Sequence, residues 1–337
     1  MSIASTVRRL ATAGVIGSAL AAAPAAAQFR LAVVESTTPL VMNSIMSLAA
    51  DLGYYQREGV DVEIIRLADG AAAIGALAAG QAEMANISIS EAIAAAAQNV
   101  VGIKAVTVPD KFLPFSIVAR NGINSPADLA GKTFGVLSLT SLDFRLSNLV
   151  LRALGVDPAT VTFVPIGPPA ARGAALIAGQ IDATTMSVGV YLGLADKSNI
   201  RVLVPVDQYL TYAGELNKAN VVTDAVLATR RAEVEAVVRA LVKAARDFAN
   251  NPNLWIEAMV VARPDYARAN LEVLAAQFRG AWSVNGGMDL PTFTAASAGV
   301  YGGNPPYPVI PLSQWVDFSV ADAVLAQLGH YGDPARR

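Results

Sequence analysis

The side chains that could do chemistry in this chain gather mainly as hydroxyls in two places. Ser36, Thr37 and Thr38 follow one apolar β-rich run, and Ser138, Thr140 and Ser141 follow another. Hydroxyls beside the amides of a helix start can hold an anionic or polar group, and the same residues can simply cap a helix. Arg145 and Arg172 lie near the starts of helices in the second half of the chain. A guanidinium fork pairs bidentately with an acid. Arg145 is the better placed, and a solvated surface arginine is the plainer alternative for both. Asp69, Asn86, Ser88 and Ser187 follow strand-like runs and suit the lining of a cleft, although Asp69 would serve equally as a helix cap. Trp282 could wall a pocket or stack on a ring, although a tryptophan in a chain of this size more often belongs to the core.

Other chemistries are hard to assemble. There is no cysteine, which excludes disulfides, thiol nucleophiles and thiolate metal sites. The one histidine, His330, stands near the C-terminus, so a histidine metal cluster or a mid-chain Ser-His-Asp triad is not expected. No G-x-S-x-G, H-E-x-x-H or phosphate-loop motif occurs. No metal, cofactor or enzymatic turnover is therefore expected. The net charge of -2 argues against nucleic acid, which needs a basic face.

The elements that must position these residues come in two copies. GALAAGQAEMAN (Gly75 to Asn86) is matched by AALIAGQIDATT (Ala174 to Thr185). REGVDVEII (Arg57 to Ile65) parallels LGVDPATVTFV (Leu154 to Val164), and FRLAVV (Phe29 to Val34) parallels KTFGVL (Lys132 to Leu137). Each copy gives a strand, a Ser/Thr loop, a helix, a Gly-Val strand, an alanine-rich helix, a glycine stop and a third strand. Alternating strands and helices mean parallel βαβ units. Gly80 and Gly179 occupy the helix C′ position, where a left-handed backbone is needed. Glu83 recurs as Asp182, which points to architecture rather than acid–base work.

In open α/β sheets ligands sit beyond the carboxyl ends of the strands. Two such units facing one another would line one cleft with the loops named above. Further strands are expected at 113–118, 202–206 and 220–223. Helices are expected at 231–250, 264–277 and 316–328, with the last stopped by Gly329. The C-terminal helices are expected to rejoin the first unit, so that two crossings form a hinge.

The first residues carry Arg8 and Arg9, an uncharged apolar stretch to Ala23, Pro24 and an Ala25-Ala26-Ala27 cleavage site. This pattern predicts a secretory leader cut after Ala27. The apolar stretch is shorter than the ~20 residues of a spanning helix. Without a cysteine after the leader, lipid anchoring is not expected, and a free periplasmic protein is.

LGYYQREGVDVEII (Leu52 to Ile65), ALAAGQAEMAN, INSPADLAGKTFGV (Ile123 to Val136), LGVDPATVTFVPI and ALIAGQIDA together resemble the periplasmic solute-binding proteins of nitrate, sulfonate, taurine and thiamine-pyrimidine ABC importers. The resemblance runs from Phe29 to about Leu210, and more faintly beyond. It implies an α/β, two-lobe, type II periplasmic binding fold, with 28–113 and 219–337 as lobe 1 and 114–218 as lobe 2. Each lobe would hold a mainly parallel sheet flanked by helices. It also implies a monomer that binds a small-molecule solute and docks on an inner-membrane permease. A related enzyme that makes the thiamine pyrimidine uses a cysteine-rich motif and a histidine that this chain lacks. The ligand expected from the residues is a small organic anion, a sulfonate or carboxylate. A neutral or cationic pyrimidine is the alternative.

Overall fold

A computed structural model describes residues 28–109, 114–139, 141–213, 218–297 and 310–332. Among the described residues, ten strands form two sheets of five. They are β1 (Phe29–Val34), β2 (Val62–Leu67), β3 (Met84–Ser88), β4 (Ile103–Thr107), β5 (Phe115–Arg120), β6 (Thr133–Val136), β7 (Thr162–Pro165), β8 (Ala183–Ser187), β9 (Ile200–Val204) and β10 (Lys218–Thr223). The orders are β2-β1-β3-β10-β4 and β7-β6-β8-β5-β9.

The two sheets share one plan. In each, three strands run parallel, β1 with β2 and β3, and β6 with β7 and β8. One strand then inserts antiparallel between the third and the outermost: β10 in the first sheet and β5 in the second. Both inserted strands slip register once, at Asn220/Val221 and at Ile117/Val118. The internal repeat of the sequence is therefore a repeat of topology. The inserted strand is in each case the first one laid down after the chain arrives from the other sheet.

Residue type explains the layering. β3 and β8 are buried at all five positions, as strands covered on both faces must be. Leu31, Val33, Met84 and Val222 face a core closed by the helix Asp224–Asn250, whose Val234, Val237, Val238, Leu241 and Val242 form the buried stripe. Ala32, Ala85, Ile87, Ala105 and Val221 face the opposite core, under the helices Gly70–Ala78 and Ile89–Ala97. The second sheet is likewise sandwiched between two clusters, one around Phe134, Leu146 and Val150, the other around Leu176, Ile181 and Met186.

Element bounds differ from the sequence expectation at β5 (Phe115–Arg120 against 113–118), β10 (Lys218–Thr223 against 220–223) and the helix Asp224–Asn250 (against 231–250), and in three further places. The run 202–206 ends as a strand at Val204, because Val206 already opens the helix Val206–Ala213. The helix expected at 264–277 spans Arg268–Phe278, and a further helix, Pro252–Ala262, precedes it. The last helix starts at Ser319, since Val316 is used in a bridge to Ala105. Gly329 ends it with φ +69°.

The chain passes between the sheets twice, from β4 to β5 and from the helix Val206–Ala213 to β10. Phe112, Glu215 and Asn217 fall in these passages and lie outside the described residues. Among the described residues, no helix is long and apolar enough to cross a membrane.

Candidate functional site

A loop at the carboxyl end of the first sheet touches a helix at the carboxyl end of the second. The loop after β1 meets the helix Val188–Gly193, which follows β8: a Cβ added at Gly189 would lie 2.5 Å from Leu40 Cβ and 2.8 Å from its carbonyl oxygen. Tyr266 Oη donates to the Gly189 carbonyl at 2.7 Å, and Asn270 Nδ2 to the Leu192 carbonyl at 3.4 Å. A Cβ at Gly193 would come within 2.6 Å of the Tyr266 ring. The loop residues Leu40 and Tyr266, with Asn270 of the helix Arg268–Phe278, thus grip the second sheet's helix through two glycines one turn apart.

On the first side, Ser36 and Thr37 are exposed. Thr38 is buried, and its carbonyl accepts from Arg263 Nη1 at 3.1 Å. All three precede the 3-10 turn Met42–Ser44 rather than opening a helix. Asp69 is exposed, and its carboxylate accepts the Ala72 amide at 2.8 Å, which makes it a cap for Gly70–Ala78. Ser88 caps Ile89–Ala97 in a reciprocal box with Glu91. Asn86 is fully buried and donates to Asn220 Oδ1 across the β3–β10 pair at 2.8 Å. That pair leaves Asn86 Oδ1 and Asn220 Nδ2 without partners among the described residues.

Sequence reasoning missed the charges here. Glu35, just beyond β1, has only 5% of its side chain exposed. Its Oε1 accepts from Ser47 Oγ at 2.8 Å and Arg66 Nη1 at 2.5 Å, and its Oε2 is buried without a partner among the described residues. Burial pushes this carboxyl above the usual range, against the opposing pull of Ser47, Lys218 and Arg66. Lys218, the first residue of β10, reaches back to the Val34 carbonyl at 3.4 Å. The one available signal was a carboxylate directly following a buried apolar strand.

On the second side, Ser141 opens the helix Leu142–Ala153 without a side-chain cap bond. Its hydroxyl is engaged elsewhere. It accepts the Ser138 amide at 3.2 Å and lies 2.6 Å from the Ser138 carbonyl and 2.5 Å from Asp143 Oδ1, one of which takes its proton. Ser138 is half-buried, and Thr140 lies outside the described residues. Ser187 caps Val188–Gly193 through the Val190 amide at 3.3 Å.

Of the two arginines, Arg172 departs from the plainer expectation. Arg172 is not a solvated surface residue: it is 4% exposed, and its Nη1 donates to Asp143 Oδ2 at 2.6 Å and the Thr185 carbonyl at 2.7 Å. Arg145 is half-buried on the helix behind Ser141. Trp282 packs against Phe248 and Phe278, with ring centroids 5.2 and 6.3 Å away. It is 6% exposed and belongs to the core, because that face of the helix Asp224–Asn250 needs a large apolar cover.

Glu83 and Asp182 stand at the opposite ends of the sheets. Each precedes a third strand and accepts the backbone amide of the neighbouring first strand, Arg30 at 2.7 Å and Thr133 at 3.0 Å. Burial alone would raise both carboxyls. Hydrogen bonds from Arg30 and Thr133, with nearby cationic charge, hold both below the usual range.

Residues 43–254 match the family model described as NMT1/THI5 like. The taurine-binding periplasmic protein of Escherichia coli (strain K12) is 25% identical over 209 residues, 62% of this chain and 64% of that protein. The chain thus spans less than two thirds of that curated relative's length. The alkanesulfonate-binding protein SsuA of Xanthomonas axonopodis pv. citri, solved with MOPS, superposes with TM-score 0.66 at 20% identity, over 81% of this chain and 90% of that one. A desulfurization enzyme, DSZB, superposes with TM-score 0.62 at 14% identity, over 89% of this chain and all of that one. The architecture therefore occurs in both binding proteins and an enzyme.

Proposed function

Because the chain belongs to the NMT1/THI5-like family, we propose that it is the solute-binding component of an ABC import system, carrying a small organic anion between two lobes. Each sheet with its helices is one lobe, and the two passages of chain between them are the hinge. A ligand that touches both lobes favours the closed arrangement and so shifts the population towards it. The closed form then docks on a permease at the inner membrane, with the leader removed after Ala27 and the protein free in the periplasm.

The observation that carries this reading is the meeting of the β1 loop with the helix after β8, which supports a cleft lined by the loops at the carboxyl ends of both sheets. The start of Leu142–Ala153, which the Ser141 side chain does not cap, supports an anion there. The taurine-binding and alkanesulfonate-binding relatives make sulfonates the first class to try. An enzyme on this architecture would have to work without a cysteine and with one histidine, His330.

The test is a thermal-shift screen of the chain from Gln28 against sulfonates, carboxylates, nitrate, pyrimidines and amines. A ligand at 100 times its dissociation constant adds about 2.7 kcal/mol, a shift of several degrees. A shift confined to pyrimidines or amines would keep the binding fold and remove the anion.

A further inference from the structure

An acid in the first turn of a helix that is to receive an anion is an electrostatic contradiction. Asp143 is that acid, at the second position of Leu142–Ala153, with 10% of its side chain exposed. It is also the hub of the preceding loop. Its Oδ2 accepts the Leu137 amide at 3.0 Å, and its Oδ1 lies 2.5 Å from Ser141 Oγ, which in turn accepts the Ser138 amide at 3.2 Å. The loop after β6 is thus folded around a carboxylate whose charge would repel an incoming anion.

Arg172 resolves the contradiction. It reaches from the helix Pro169–Ile177 across the end of β8, and one nitrogen, Nη1, contacts Asp143 Oδ2, Thr184 Oγ1 and the Thr185 carbonyl at 2.6, 3.2 and 2.7 Å. Thr184 Oγ1 passes the anchorage on to the Gly135 carbonyl in β6 at 2.8 Å. The guanidinium is therefore fixed to two strands and a helix start, and it is nearly all buried. Its own Nε has no partner among the described residues, so full hydrogen bonding is not what holds it there.

We propose that Arg172 is a positioning residue for anion binding: it neutralises Asp143, so that one carboxylate can order Leu137, Ser138 and Ser141 while the helix start stays electropositive. This rests on the reading that the cleft ligand is an anion. Removing one member of a buried charge pair exposes the penalty of the other. In Arg172→Met the Asp143 charge at the helix start would be uncompensated. In the double variant Arg172→Met/Asp143→Asn both charges are gone, the Leu137 amide still meets the carboxamide oxygen, and the Ser141 hydroxyl accepts from the carboxamide nitrogen while donating to the Ser138 carbonyl. Lysine at 172 keeps the charge without the fork.

The experiment is isothermal titration of the mature chain with 2-aminoethanesulfonate, ethanesulfonate and benzoate, with the melting temperature of every variant recorded. For whichever anion the wild type binds, Arg172→Met is expected to weaken affinity about 10- to 100-fold. The double variant is expected to return to within about 3-fold of wild type, and Arg172→Lys to retain most of the affinity. A core-packing role for Arg172 would leave the double variant as weak as the single one, which overturns the proposal. So would an Arg172→Met affinity within 2-fold of wild type. If Arg172→Met does not fold, the double and lysine variants decide alone. Should the wild type bind none of the three anions while a pyrimidine or amine binds, the anion reading fails first and takes this role with it. Anion binding that is indifferent to residue 172 removes only the role.

Discussion

Glu35 and Glu83 sit at opposite ends of the first sheet, and their surroundings treat them oppositely. Glu35, under the β1 loop, is held above the usual carboxyl range by burial. A raised folded-state value means that its contribution to stability is full below the ordinary glutamate value of about 4.3 and is lost as pH climbs through the raised value. Glu35→Gln removes that loss. The variant's melting temperature is expected to match or exceed wild type at about pH 7, with the difference vanishing near pH 4. Glu83 is the reverse case, held low chiefly by Arg30 and Arg230 against the effect of burial. Its contribution is present above the ordinary value and disappears as pH falls through the depressed one. Glu83→Gln should cost about 1.5–3 kcal/mol in urea denaturation at neutral pH and progressively less in acid. Ligand affinity should not change, because this carboxylate is at the end of the strands away from the cleft.

Elements were legible where a period or a glycine announced them. Gly80 and Gly179, with φ +64° and +72°, end equivalent helices in the two lobes. Gly80 has open space around its missing Cβ, so Gly80→Ala tests backbone strain alone, and a loss of about 1–2 kcal/mol is expected by thermal unfolding. The repeated strand–helix–strand pattern and the burial of Ala-rich and Val-rich runs were likewise readable. The C-terminal third was less so. Pro252–Ala262 opens on a proline and is apolar almost all round, so no face distinguishes it. The first residues of the helix Asp224–Asn250 are separated from the stripe by the non-helical Arg230 (φ -129°, ψ 26°), and the sequence pattern picked up only the part beyond it. Trp282 could not be assigned from its type, since a buried aromatic and a pocket wall share one composition. Its contacts assign it: Trp282→Ala should cost about 3–5 kcal/mol and leave the affinity of the folded fraction intact.

For the molecule as a whole, the proposed hinge makes the angle between lobes the variable of interest, and the Gly189–Leu40 and Gly193–Tyr266 contacts are the ones expected to limit it on one side. Gly189→Leu would drive a side chain into the Leu40 backbone, and Tyr266→Phe would remove the bond to the Gly189 carbonyl. Small-angle scattering of Gly189→Leu without ligand should give a larger radius of gyration than wild type, and its ligand affinity should fall. Tyr266→Phe should do the same to a smaller degree. An unchanged radius in both would mean that the grip does not limit closure. Hydroxyls at strand ends could be found in the sequence because they follow apolar runs. The charges behind them could not. Arg172 and Asp143 are 29 residues apart, and Glu35 and Arg66 are 31 apart. Only the fold brings each pair together.

The placement of β10 also orders events in time. Residues 114–213 hold all five strands of the second sheet, so that lobe can complete itself as soon as it leaves the ribosome or the export channel. The first sheet cannot. Its β3 and β4 are joined only when β10 arrives between them, more than a hundred residues after β4. Until then both carry unpaired edges, which are templates for aggregation. The lobe synthesised first is the last to finish, and the nascent chain spends that interval as one folded lobe trailing a split sheet. A chaperone that holds the polypeptide until Thr223 has emerged would therefore protect β3 and β4 more than any other strands in the protein.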